Sequence, residues 1–318
     1  MGYQYDPIIL EGLTKISGGA DSPPPIPVGD VENRRVAFTP LFDAFGAQGP
    51  SYPDVEQKDH TVTTADGHAL TLRLYTKTGA TLSSSAAVLY MHGGGLIFGS
   101  LSMLDKRISS YVSATSVPYV SVDYRLAPEH PYPTPLEDCY TGLKWLHENA
   151  GKLGIDTSRI AVSGDSAGAG LAAALALLTR ERKGLAISKQ ILIYPMLDDR
   201  TTIENPDLTP FLTWKYADNE TAWKAYLGSK QGTSDVSETA APARMTDATG
   251  LPELFIEVGE LDIFCAENLE YARQHFAKGI KTELHVHPGI PHGGELFDLD
   301  SPLSKRIMAD RVRVIAGL

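Results

Sequence analysis

Two short stretches carry residues whose types and spacing could do chemistry. Gly164-Asp165-Ser166-Ala167-Gly168 has the form G-x-S-x-G, and His92-Gly93-Gly94-Gly95 places three glycines behind a histidine. The first follows RIAVS (Arg159–Ser163) and precedes an Ala/Leu-rich stretch reaching Leu178. That strand–turn–helix context presents a serine on a strained turn as a nucleophile. The helix start adds a positive dipole end beneath it. A serine hydroxyl is weak without a base. In this arrangement the acid follows the serine along the chain, and the histidine follows the acid. The downstream histidines are His275, His285, His287 and His292. His275 reads as a surface residue in mid-helix, and His285 and His287 alternate on a strand. His292, in PGIPHGG just after that strand, is the candidate base. The acid is expected after the preceding strand, where LFIEVGELDIF offers Glu257, Glu260 and Asp262. Glu257 falls inside the strand, so Asp262 is expected, with Glu260 as the alternative.

The glycines answer the other need of acyl transfer, a place for the negative charge that builds on a carbonyl oxygen. Backbone N–H groups aimed at that oxygen contribute about 3 kcal/mol each to the rate. Glycine lets a backbone turn its amides toward a ligand without Cβ clashes. Gly93 and Gly94, with Ala167 behind the nucleophile, are the expected oxyanion hole. His92 is expected to anchor that loop and not to react. A phosphate cradle is the weaker reading, because neither the Lys-Ser/Thr ending of a P-loop nor a spaced GxGxxG is present.

These residues need elements to hold them. EQKDHTVTT (Glu56–Thr64) and HALTLRLYT (His68–Thr76) are alternating stretches flanking Asp66-Gly67, a hairpin signal. Strands are expected near 86–91, 118–123, 159–163, 189–194, 253–258 and 282–287, with helices near 101–115, 134–150, 167–182, 264–278 and 302–316. Continuous apolar strands alternating with helices imply a mostly parallel sheet covered on both faces. The hairpin would add an antiparallel edge. Ahead of it, SPPPIP (Ser22–Pro27) reads as a stiff linker. Phe38, Leu41, Phe42 and Phe45 then recur at helical spacing, with Asp30 as a plausible N-cap. Residues 200–240 interrupt the alternation with a long stretch carrying Trp214, Tyr216, Trp223 and Tyr226, and an insertion of that length is usually functional or a small cap. Trp214 and Trp223 read as cap core or acyl-pocket wall. Asp123, Arg125 and Glu129 read as an ion pair and hydrogen bonds holding the loop beneath the glycines. Asp165 reads as a loop-fixing acceptor, and Asp198 and Asp199 as cap entrance or solvated surface.

The HGGG motif, DYRLAPEHPYPTPLEDC (Asp123–Cys139), GDSAGAG (Gly164–Gly170), YPMLDDR and the Asp262 and His292 segments together resemble the hormone-sensitive-lipase-like esterases of the α/β-hydrolase fold, the bacterial family IV type, and among them the heroin-esterase-type enzymes. The matching pieces span about residues 56–316. The resemblance implies an α/β-hydrolase fold with a mostly parallel central sheet. It implies a helical cap from an N-terminal segment (1–55) and from an insertion at about 200–235 within a catalytic domain (56–318). The activity implied is a serine carboxylesterase acting on short-acyl esters, without metal or cofactor. The chain departs from the family pattern at Leu96, where an aromatic usually follows HGGG, with Phe98 two residues on. It departs also at Ala169, at Ile263-Phe264-Cys265-Ala266 and at Gly293-Gly294. Leu96, Phe98 and Trp214 are the expected pocket residues.

The 318 residues carry a net charge of −11, which argues against nucleic acid and anionic membrane as partners. Cys139 and Cys265 show no metal spacing and read as apolar groups. The longest apolar run, Leu171–Leu178, is far below the roughly 20 residues of a membrane span. The N-terminus lacks the pattern of a signal peptide, so a cytoplasmic protein is expected. A small-molecule ester is the expected partner. A homodimer is open, with 282–316 as the edge to suspect. Three alternatives stand beside the esterase: an amidase or formamidase with the same triad, a non-hydrolytic binding member of the fold, and a metal hydrolase using His285, His287 and His292.

Overall fold

The computed structural model describes residues 2–17 and 24–318. Ser22 and Pro23 of the expected linker lie outside the described residues. The chain starts with α1 (Pro7–Ser17) and α2 (Val31–Gly46), followed by the hairpin β1 (Val55–Thr63) and β2 (Ala69–Lys77). Gly67 closes that hairpin at φ +87°, a left-handed conformation that glycine adopts freely. Strands then alternate with helices: β3 (Ser85–Met91), α3 (Asp105–Thr115), β4 (Tyr119–Val122), α4 (Thr134–Leu153), β5 (Ile155–Asp165), α5 (Ala167–Glu181) and β6 (Lys189–Ile193). After α6 (Tyr216–Leu227) come β7 (Glu253–Leu261), α7 (Cys265–Ala277), β8 (Thr282–Pro291) and α8 (Pro302–Ala316).

The eight strands form one sheet in the order β1-β2-β4-β3-β5-β6-β7-β8. β2 runs antiparallel to both β1 and β4, and every other pairing is parallel. β3 explains the layering. Ala87, Leu89 and Met91 face the cluster that includes residues of α4, α5 and α7, while Ala86, Val88 and Tyr90 face α3 and α8. Strands buried on both faces cannot alternate polar with apolar, which is why they read as continuous apolar runs.

The elements fall close to their expected positions, and the sequence reading missed α1. Asp30 caps α2 by accepting from the Asn33 amide at 3.0 Å. α2 is fixed to α6 by Arg34, which is fully buried. Its five N–H groups reach Asp218, the carbonyls of Pro27, Asp30 and Ile26, and that of Ala217. Arg35 reaches the other way, to the carbonyls of Ile97 and Ala127 and to Glu129.

Several side chains lie elsewhere than expected. His275 is fully buried, bonded to Gln190 and to the Tyr271 carbonyl, and is not a surface residue. Arg125 and Glu129 make ion pairs as expected, but with partners outside their own stretch, Arg125 with Asp138 and Asp66 and Glu129 with Arg35. Asp199 is fully buried on Arg244 rather than solvated.

Candidate active site

The sheet delivers its chemistry at the carboxyl ends of three parallel strands. β5 ends at Asp165 and α5 begins at Ala167, leaving Ser166 to make the turn alone. Its backbone is at φ +54° and ψ −117°, a strained conformation for a residue with a side chain. Neighbouring backbone holds it there. The Ser166 amide donates to the Ile193 carbonyl at 2.8 Å, and the Met196 amide donates to the Ser166 carbonyl at 3.1 Å. The turn needs small neighbours, because a Cβ on Gly164 would strike the Gly168 backbone and one on Gly168 would strike the carbonyls of Met91 and His92. α5 therefore starts close against β3.

Asp262 follows β7 and His292 follows β8, at neighbouring strand ends. Nδ1 of His292 lies 2.6 Å from Oδ2 of Asp262, and Nε2 lies 2.9 Å from Oγ of Ser166. A carboxylate only accepts, so Nδ1 carries the proton and Nε2 is free to accept from the serine hydroxyl. Asp262 is 1% exposed and also accepts the Phe264 amide at 3.0 Å. Glu260, the alternative acid, is exposed and accepts the Gly289 amide instead. His285 binds Glu283, and His287 sits 3.6 Å from Glu257, both apart from the pair that His292 makes. No group of three potential metal ligands occurs among the described residues.

The glycine loop lies directly against Ser166. A Cβ on Gly93 would come within 3.5 Å of the Ser166 Cβ. Among the described residues, the amides of Gly93, Gly94 and Ala167 donate to no chain group. His92 is buried, donates Nδ1–H to the Gly93 carbonyl at 2.7 Å and stacks on Tyr124 with ring centroids 4.2 Å apart. Tyr124 in turn donates to the His92 carbonyl at 2.7 Å. Burial pulls the His92 imidazole down to about 4, so it is neutral at pH 7. Asp165 is held by an ion pair with Arg107 from α3, which fixes the residue preceding Ser166.

Above the loop is an aromatic cluster. Trp214 covers Gly95, where a Cβ would enter the indole. Phe98 stacks on Phe38 at 5.7 Å and meets Phe42 edge-on at 5.1 Å. Trp214 lies 5.7 Å from Phe38 and 6.4 Å from Phe98. Leu96 is buried at φ +65°. Trp223 packs on Tyr226 away from this cluster. Thr213 donates its hydroxyl to the His292 carbonyl at 2.7 Å, so the inserted segment touches the loop that bears the imidazole. Reading the sequence missed Thr213, Arg34, Arg35 and the rings of Tyr194 and Phe264 that flank His292; no spacing signals such contacts.

This sheet, with a serine at a strand–helix turn and a histidine and an aspartate at adjacent strand ends, defines a hydrolase of the α/β type. Residues 88–296 match the family described as alpha/beta hydrolase fold, and the chain belongs to that family, in its hormone-sensitive-lipase-like branch. It is 38% identical over 219 residues to the carboxylesterase NlhH of Mycobacterium tuberculosis, covering 68% of each chain. It is 33% identical to an ethyl acetate hydrolase of Pseudomonas putida, covering 74% of each. The solved structure of a bacterial heroin esterase superposes with a TM-score of 0.88 at 34% identity, over 98% of this chain and 97% of the other. The protein is a carboxylic ester hydrolase, which sets aside the non-hydrolytic alternative. No described helix is long and apolar enough to cross a membrane.

Proposed function

We propose that the enzyme hydrolyses short-acyl esters through an acyl-enzyme on Ser166. His292 takes the hydroxyl proton as Oγ adds to the ester carbonyl, and then hands it to the departing alcohol. Asp262 holds the imidazole in the tautomer with a bare Nε2 and stabilises it when charged. The amides of Gly93, Gly94 and Ala167 receive the oxyanion. Water, activated by the same imidazole, then releases the acid. The 2.9 Å approach of His292 Nε2 to Ser166 Oγ carries this reading. The short-acyl preference is supported by the crowding of Leu96, Phe98 and Trp214 around the glycine loop. In this reading residues 1–55 and about 200–235 form a cap over the catalytic domain, supported by the Arg34 bonds that join α2 to α6. A homodimer would form through β8, which pairs only with β7 among the described residues.

Wild type and Ser166→Ala, mixed with p-nitrophenyl acetate and butyrate and followed by nitrophenol release and intact mass, test the proposal. An acyl adduct on the peptide containing Ser166, with kcat lowered on the order of 10⁵ to 10⁶ in the variant, is expected. Equal rates without an adduct would sink it.

A further inference from the structure

Beside His292 lies a buried assembly that none of these steps uses. Tyr194 follows β6 directly, and its ring meets the imidazole edge to face, with centroids 4.7 Å apart at 67°. Phe264 meets the same imidazole at 5.2 Å and 84°. The two rings limit rotation of the imidazole about its side-chain bonds. Phe264 is held locally by its bond to Asp262. Tyr194 is held from a distance. Its hydroxyl donates to Oε1 of Glu295 at 3.2 Å, and Glu295 accepts from Arg311 of α8 at 2.8 Å. Arg311 is 1% exposed and also donates to Glu257 at 2.7 Å. Burial pushes the Glu295 carboxyl up, but Arg311 and Arg107 outweigh it, so it stays charged and accepting at neutral pH.

Two features of this assembly are poorly explained by stability. Burying an arginine with two glutamates costs desolvation that apolar residues of similar volume would avoid. The Tyr194 backbone sits at φ +38°, a left-handed conformation that a bulky residue takes only when its surroundings hold it there. Its amide is pinned to the Glu257 carbonyl at 2.7 Å, next to the carboxylate that Arg311 binds. Strain of this kind persists where a side chain must be aimed. Here it is aimed at the base.

We propose that Tyr194, tethered through Glu295 to Arg311, is a positioning residue that keeps the His292 imidazole in the plane where Nδ1 faces Asp262 and Nε2 faces Ser166. The inference rests on the triad reading above. Arg311 and Glu295 bring α8 and the stretch after His292 into the alignment of the base, through a ring that never touches substrate.

The test compares Tyr194→Phe, which cuts the tether and keeps the ring, with Tyr194→Leu, which removes the ring. Ser166→Ala serves as the control. Kinetics with p-nitrophenyl acetate are read beside the downfield imidazole N–H resonance of His292. In Tyr194→Leu kcat should fall about tenfold, since small misplacements of a catalytic group are costly in rate. In Tyr194→Phe it should fall about two- to threefold, because the ring stays beside the imidazole and only its hydrogen bond to the Glu295 carboxylate is lost. KM should stay within about twofold in both, and the resonance should broaden. Full kcat in both folded variants, with only the melting temperature lowered, would overturn the proposal. If Tyr194→Leu does not fold, Tyr194→Phe decides: reduced kcat at unchanged KM supports it and full kcat overturns it. Turnover surviving in Ser166→Ala would strike the triad reading instead, a result the Tyr194 variants do not produce.

Discussion

His92 shows how a residue beside the chemistry serves it by staying neutral. Its Nδ1–H is committed to Gly93, its face to Tyr124, and its buried Nε2 has no partner among the described residues. With the folded value near 4 against 6.5 in the unfolded chain, the unfolded state binds a proton between those values that the folded state refuses. Stability from the neutral ring is therefore complete above pH 6.5 and drains away as pH falls toward 4, on the order of 3 kcal/mol over the window. His92→Asn keeps a donor for Gly93 and cannot titrate. Urea unfolding at pH 4.5 and 6.5 should show a smaller pH dependence for this variant than for wild type; identical dependence would refute the assignment. At this scale the meeting of Ser166, Asp262 and His292 beside the glycine loop was legible, because motif and chain order point to those positions. Tyr194 was not. Its role comes from Glu295 and Arg311, about 100 residues away in sequence, and YPMLDDR alone contains nothing to mark it.

Among the elements, α2 depends most on a single side chain. All five N–H groups of Arg34 are taken, and the pair with Asp218 is buried. Removing one partner of such a pair costs about 3–5 kcal/mol, because the other is left buried and uncompensated. Arg34→Met should let α2 open locally while the sheet stays intact. Hydrogen exchange would then quicken across 31–46 and leave β3, β5 and β6 unchanged; acceleration spread evenly over the protein would count against this. Strands and helices of the sheet were legible from apolar runs and periodicity. α1 carried a signal that was passed over: in PIILEGLTKIS, Ile9, Leu13 and Ile16 recur at helical spacing, and Ile9 is buried. The attachment of α2 through adjacent arginines was hidden, since two charges on a helix read as its wet face.

Across the whole molecule, Ser166 follows β5, Asp262 follows β7 and His292 follows β8, and one sheet brings them together. Their convergence could be read from strand–helix alternation alone. How the roof meets the floor could not, because Thr213 and His292 are 79 residues apart. That bond ties the loop carrying His292 to the segment bordering the aromatic cluster. A bulky ester that pushes the segment aside also draws on the His292 backbone. Such an ester should bind and then react slowly, with the imbalance appearing in kcat more than in KM. In Thr213→Val the two parts are uncoupled. The ratio of kcat for p-nitrophenyl acetate to kcat for a branched-acyl ester should shrink by about fivefold, the value of one hydrogen bond of roughly 1 kcal/mol. An unchanged ratio would mean the bond only fastens the loop. A shrunken ratio would mean that the wild-type enzyme tells large guests from small by how fast it works on them, and that a competitor that fits badly occupies the site without being consumed.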